Sequence, residues 1–89
     1  MSLSEIKKAI SKQKNPAQAL VLQRFFKTGK GQYGEGDIFY GIKVPEQRII
    51  SKQFKDLSLT DLKELINSKV HEERSIAAFI LVDQFRRGD

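Results

Sequence analysis

Three cations near a predicted helix start have a spacing suited to phosphate binding. Arg48 and Lys52 are four residues apart and therefore share one face of a helix, and Lys43 comes just before that helix. Free amide groups and the helix dipole at such an N-terminus also attract anions. The pattern fits an anion-binding surface, and it fits ordinary surface charge with Glu46 as a partner equally well.

The glycine-rich segment offers a weaker possibility. Its residues from Gly29 to Gly34 match the G-x-G-x-x-G pattern, but a dinucleotide site needs a strand before it and a helix after it. Here a helix is predicted before it and no βαβ unit follows, so we exclude a dinucleotide site. Backbone amides with Lys27 and Lys30 could still meet a phosphate, although the composition favours a flexible connector between helices.

No catalytic residue, metal ligand or cofactor site is predicted. The chain lacks cysteine, which excludes disulfides, thiolate metal sites and a thiol nucleophile. His71 is the one histidine, and Ser75 stands where an H-E-x-x-H zinc motif needs its second histidine. A single histidine at a helix start is more typical of a cap or a surface residue than of a ligand or base.

The positive charge is concentrated at the start of the chain. The 89 residues carry 16 basic and 11 acidic side chains, a net charge of +5. Residues 1–30 hold seven of the basic residues and only Glu5 as an acid, so the whole surplus lies in the first third. This segment is either a surface that attracts polyanions or a lysine-rich face turned to solvent.

Helical periodicity and capping signals predict an all-α fold of about five helices over residues 1–89, which form one small domain or a single segment of a larger one. Ser2, Asn15 and Ser58 are predicted N-caps, and Pro16 and Pro45 are predicted near helix starts. The second helix is expected to reach about Thr28, and the last to run from near His71 to near Gly88. Residues 38–42 are expected to form a short helical turn or a buried loop, because no second strand is available to pair with them.

Apolar faces follow from the same periodicity. The third and fourth helices are predicted to bury Ile49, Ile50, Phe54, Leu59, Leu62, Leu65 and Ile66. The last helix is apolar nearly all round from Ile76 to Val82, so it either packs centrally or keeps a second face for a partner, including another copy of the chain. Its longest apolar run is too short to cross a membrane, and no signal peptide is visible, which favours the cytoplasm.

Three stretches resemble a known family. G-D-I-F-Y-G-I-K-V-P-E-Q-R, from Gly36 to Arg48, resembles the N-terminal signature of the DNA alkylation repair family, the AlkD-like glycosylases. F-F-K-T-G-K-G-Q-Y-G-E-G-D upstream and H-E-E-R-S-I-A-A-F-I-L-V-D-Q-F downstream resemble a second helix and a later repeat helix of that family. The resemblance covers about Asn15 to Phe85, and the joined pattern is more specific than any one piece.

The resemblance implies a fragment of an α–α superhelix of HEAT-like repeats. In this family a concave basic face holds duplex DNA by its phosphate backbone, and bases alkylated at N3 or N7 are excised without a metal. The DNA-binding residues expected here are those of the signature, with Lys52 from the helix face and two lysines on charge grounds: Lys27, Lys30, Lys43, Val44, Pro45, Arg48 and Lys52.

Catalytic residues cannot be transferred by this resemblance. The family's catalytic aspartate lies in a W-x-x-x-D segment C-terminal to the matched part, and this sequence has no tryptophan and ends at Asp89. We therefore expect the N-terminal, DNA-binding part of a glycosylase whose catalytic region is absent from this chain. The alternative is a non-enzymatic helical-repeat module that binds protein or unusual DNA structures.

Overall fold

The computed structural model describes residues 1–25 and 36–88, and these residues form five α-helices without a named strand. The helices are α1 (Leu3–Ser11), α2 (Pro16–Phe25), α3 (Val44–Gln53), α4 (Leu59–Ile66) and α5 (His71–Arg86). The predicted all-α class is confirmed, and the packing is consistent with a piece of a helical-repeat protein. The predicted end of the second helix, from Phe26 to Thr28, lies outside the described residues.

Local side-chain chemistry explains where three helices begin. The Ser2 and Ser58 hydroxyls each accept a hydrogen bond from the backbone amide three residues later, at 3.2 Å. Asn15 Oδ1 accepts one from the Gln18 amide at 3.1 Å. The three predicted N-caps are therefore confirmed, since each satisfies an amide that the first helical turn leaves free.

The core lies where α5 packs against α3, α4 and α1. Its buried side chains come from these four helices and the segments between them: Ile6, Ile10, Ile42, Ile50, Leu57, Leu62, Leu65, Ile76, Ala77 and Ile80. Helix α5 thus has the central position, which is one of the two alternatives that its apolar composition leaves open. Burial is nevertheless confined to one stripe of α5, because Val82 and Phe85 are 50% and 81% exposed.

Three residues predicted to be buried are exposed. Ile49 is 58% exposed, and Gln47 is buried on α3 instead, where its amide donates to the Ile42 carbonyl at 2.8 Å. Leu59 and Ile66 are the first and last residues of the eight-residue α4, and they are 71% and 38% exposed. A helix this short buries only its central residues, here Leu62 and Leu65.

Residues 37–42 pair with the start of α5, and we call this arrangement the latch. Ile38 donates to the Lys69 carbonyl at 2.9 Å and accepts from the His71 amide at 2.8 Å, which makes one isolated parallel β-bridge with Val70. Of the two predicted conformations the buried loop is correct and the helical turn is wrong. We expected no pairing partner for residues 38–42, but the connection between α4 and α5 supplies one at Val70.

Side chains on both sides reinforce the latch. Arg74 donates to Asp37 at 3.0 Å and to the Ser68 carbonyl at 2.8 Å. The rings of Phe39 and His71 stack with centroids 4.7 Å apart. The predicted surface or capping role for His71 is incomplete, because its ring packs on a buried phenylalanine.

Asp37→Asn is expected to lower the free energy of unfolding by about 0.5–1 kcal/mol, because the pair it forms with Arg74 is only partly shielded from water. Urea unfolding followed by circular dichroism measures this loss. Glu64→Gln, at an exposed carboxylate of α4, removes the same charge and is the matched control. Equal stability of the two variants would contradict a contribution from the latch pair.

Candidate nucleic-acid interface

Four cations surround a cleft between α3 and α5. Arg48 and Lys52 project from α3, Lys55 follows α3, and Arg86 comes from the last turn of α5. The cleft has a volume of about 460 Å³. A step of four residues brings Arg48 and Lys52 to one side of α3, and Lys55 reaches the same cleft from the segment that follows the helix. We call this site the α3–α5 cleft.

Apolar contacts hold one cation of the cleft in place. The Arg48 guanidinium lies 4.5 Å from the centroid of the Phe79 ring, and Val82 also lines the cleft. A guanidinium over an aromatic face is held by cation–π attraction, while its N–H groups point outward from the edges. Arg48 is thereby oriented without a carboxylate partner.

Hydrogen bonds fix the backbone at Lys55. Gln84 of α5 donates its side-chain amide to the Lys55 carbonyl at 2.9 Å and to the Leu57 carbonyl at 3.0 Å. Arg87 donates to the Lys55 carbonyl at 2.8 Å. The connection between α3 and α4 is therefore tied to the end of α5, and the two walls of the cleft keep their separation.

In the part of the chain that the structure describes, ion pairs do not neutralise the positive charge of the α3–α5 cleft. Within residues 1–25 and 36–88, none of its four cations forms an ion pair with a carboxylate. Asp83 also lines the cleft, but its carboxylate lies 3.2 Å from Arg87. Arginine and lysine in this arrangement can bind oxygens of adjacent phosphodiesters.

Lys43 lies elsewhere, in a second basic cleft. With Lys12 and Lys14 it surrounds a space of about 520 Å³ between the α1–α2 connection and the start of α3, and Glu46 is the acid at its edge. We call this site the lysine cleft. The structure thus divides the group of Lys43, Arg48 and Lys52 that the sequence suggested, because the N-cap of α3 points to a different side from its second and third turns.

The sequence model of a family described as DNA alkylation repair enzyme matches residues 6–89. The chain belongs to this family. The match confirms the resemblance carried by the G-D-x-F-x-G-I segment and the H-E-E-R helix. No curated protein and no solved structure gives a match alongside it.

In this DNA alkylation repair family member, two of the stretches that carry the resemblance touch each other in the latch. Asp37 pairs with Arg74, Phe39 stacks on His71, and three amides of residues 40–42 donate to Glu72. The residue types of this joined pattern therefore follow from contacts within the fold. Val44 and Pro45, also in the signature, are exposed in the first turn of α3.

Some of the residues and motifs that the sequence suggested lie outside the part of the chain that the structure describes. Lys27, Lys30 and the G-x-G-x-x-G segment lie outside the described residues. Across residues 1–25 and 36–88, no cluster of three or more His, Asp or Glu side chains is arranged to hold a metal ion. In the same part of the chain, no helix has both the length and the apolarity to cross a bilayer.

Tyr40 stands beside the buried acids of the latch. Partial burial raises the pKa of its phenol, and the negative charges of Glu73 and Glu72 raise it further. The phenol is therefore neutral at physiological pH. Lys14 lies over its ring, with Nζ 4.3 Å from the centroid.

Sequence reasoning missed Lys55, Arg86 and Glu72. Lys55 lies three residues after Lys52, but α3 ends at Gln53, so helical periodicity does not place it at the cleft. Arg86 reaches the α3–α5 cleft only because α5 crosses α3, which no local pattern shows. Glu72 lies near a predicted helix start, where acids are common for their favourable interaction with the helix dipole, but its side chain is buried.

Proposed function

We propose that this chain binds duplex DNA through the α3–α5 cleft, as the DNA-binding part of an alkylation-repair glycosylase. One observation carries the proposal. In a member of the DNA alkylation repair enzyme family, four cations without carboxylate partners surround one cleft. Backbone phosphates are the oxygen ligands that duplex DNA offers to such a site.

The cleft is suited to phosphate contacts more than to reading bases. Arg48 and Arg86 can each present two N–H groups to one phosphate, while Lys52 and Lys55 act as point charges. Phosphate contacts set position and affinity but carry little sequence information. The proposed binding is therefore weak, steeply dependent on salt and similar for duplexes of different sequence.

The proposal assigns binding of DNA, and not cleavage of the glycosidic bond, to these residues. A base alkylated at N3 or N7 carries positive charge and is already a good leaving group. The family's reaction therefore needs mainly a carboxylate and aromatic faces near the sugar, supplied by a tryptophan- and aspartate-containing segment. This sequence contains no tryptophan, so that segment is not among its residues.

The test is duplex binding measured by fluorescence anisotropy between about 50 and 200 mM salt. With two to four phosphates neutralised, log K should fall linearly with log salt, with a slope of about −2 to −4. Duplexes of unrelated sequence should give the same slope. An affinity that does not change with salt would overturn the proposal.

A second candidate function is self-association through the last helix, with a second copy of the chain as the partner. Leu59, Val82 and Phe85 are 71%, 50% and 81% exposed and lie along one groove beside α4 and α5. Apolar clusters of this kind are typical of interfaces. Sedimentation velocity over a range of concentrations should show a dimer that Phe85→Ser abolishes, and a monomer throughout would contradict this candidate.

A further inference from the structure

Glu72 holds three consecutive backbone amides of the latch. Its Oε1 accepts from the Tyr40 amide at 2.9 Å, and its Oε2 accepts from the amides of Gly41 at 2.9 Å and Ile42 at 3.2 Å. The residue is only 1% exposed. Both carboxylate oxygens therefore accept hydrogen bonds from the loop.

The charge on Glu72 is stabilised by dipoles. Among the described residues no ion pair links it to a cation. Three N–H groups point at the carboxylate, and Glu72 also sits in the first turn of α5, where the helix dipole favours negative charge. Glu73 differs, because it lies 3.7 Å from Lys7 of α1, whereas the amides of residues 40–42 donate to Glu72.

The opposite side of the same loop rests on the start of α2. The Asn15 amide donates to the Tyr40 carbonyl at 2.7 Å. Gly41 lies so close to backbone atoms of Asn15 and Ala19 that no side chain fits there. Residues 40–42 are thus clamped between the beginnings of α5 and α2.

The contacts that hold residues 40–42 also set the positions of Lys43 and Lys14 relative to each other in the lysine cleft. Lys43 follows the clamped residues directly and is the N-cap of α3. Lys14 precedes Asn15 and lies over the Tyr40 ring. Lys12, Lys14 and Lys43 form no ion pair with a carboxylate within the described residues, so their charges remain available to a polyanion.

We propose that Glu72 is a positioning residue for DNA binding, which holds residues 40–42 so that the lysine cleft presents its three cations to backbone phosphates. This inference rests on the proposed function and adds a second contact area to it. Glu72 itself does not touch DNA. It acts through Lys43 and Lys14.

The test compares Glu72→Gln with Glu73→Gln. The first keeps the shape of the side chain but turns one acceptor into a donor that faces backbone N–H groups. The second neutralises a neighbouring buried acid of the same helical turn that is not the acceptor for the amides of residues 40–42. Hydrogen exchange of the amides of residues 40–42 should accelerate in Glu72→Gln and not in Glu73→Gln. Equal acceleration would overturn the clamp.

Duplex affinity supplies a readout that loss of overall stability would not move. At low salt we expect a loss of about fivefold to tenfold for Glu72→Gln, and less than twofold for Glu73→Gln. Combined with Lys43→Gln, the effect of Glu72→Gln should be smaller than in the wild type, because both act on one contact. Full additivity of the two substitutions would contradict a positioning role.

A measurement on the unchanged chain covers the case in which Glu72→Gln does not fold. Addition of duplex DNA should slow hydrogen exchange at residues 40–42, since ordering of the loop and binding are coupled in both directions. Unchanged exchange despite binding overturns the inference alone. No binding by the wild type overturns the proposed function, and if Lys43→Gln has no effect on a chain that binds, only the inference fails.

Discussion

Gly41→Ala is expected to lower the free energy of unfolding by about 3 kcal/mol. Gly41 has φ of +81°, a conformation that side chains disfavour. A Cβ there would also overlap the Asn15 carbonyl oxygen and lie 2.6 Å from the Ala19 amide nitrogen. Both obstacles are backbone atoms of the first turn of α2, so they cannot move aside without shifting that helix.

Gly36→Ala is the matched control for this prediction. Gly36 has nearly the same φ, +87°, but a Cβ there meets nothing within 4 Å. Only the backbone strain remains, and we expect a loss of about 1 kcal/mol. Urea unfolding of both variants separates strain from overlap. Equal losses of stability in the two variants would contradict the close approach of the latch to α2. Complete unfolding of the Gly41→Ala chain in buffer would mean that the loss is larger than predicted.

The Arg48→Gln/Lys52→Gln double variant should bind duplex DNA about 100-fold more weakly at about 50 mM salt and about 8-fold more weakly at about 200 mM. Each cation in the α3–α5 cleft is expected to neutralise one phosphate, and the slope of log K against log salt should therefore decrease in magnitude by about 1.8. Circular dichroism checks the fold, because Arg48 also packs on Phe79.

Lys63→Gln/Lys69→Gln removes the same charge from exposed lysines that line neither basic cleft. Overall attraction of a polyanion falls equally in both double variants, but only the first loses phosphate contacts. The control should therefore bind within about threefold of the wild type and keep its salt slope. A loss in the control as large as that in the cleft variant would show that total charge, and not the α3–α5 cleft, determines binding.

The helix starts were predictable from sequence because they are decided locally. The side chains of Ser2, Asn15 and Ser58 satisfy amides three residues away, so residue type and spacing carry the whole signal. The central place of α5 was one of two predicted alternatives, since its apolar residues exceed what one neighbouring helix can cover.

The two basic clefts could not be predicted from the sequence. The distribution of charge along the chain does not show which side chains share a surface. Residues 61–89 carry nearly equal numbers of acids and bases, yet Glu72 and Glu73 are buried and contribute little to the surface. Arg86 from that segment remains at the α3–α5 cleft. Lys43 separates from Arg48 because an N-cap and a second helical turn face different sides of one helix.

The latch lay beyond sequence reasoning for a different reason. Its bonds join residues about 30 positions apart, and a carboxylate that accepts three amides has the same local pattern as one that faces solvent. Only the family resemblance placed the two stretches in one motif. The contacts of Asp37, Phe39 and Gly41 with residues 71–74 and the start of α2 give the physical reason for that association.

The most direct test of DNA binding at the α3–α5 cleft is an NMR titration of the isotope-labelled chain with duplex DNA at low salt. The cleft predicts that the largest chemical-shift changes occur at the side chains of Arg48, Lys52, Lys55 and Arg86. Lys63 and Lys69 should shift little. Changes confined to the apolar groove of Leu59, Val82 and Phe85, or binding that leaves the four cleft cations unshifted, would contradict the account.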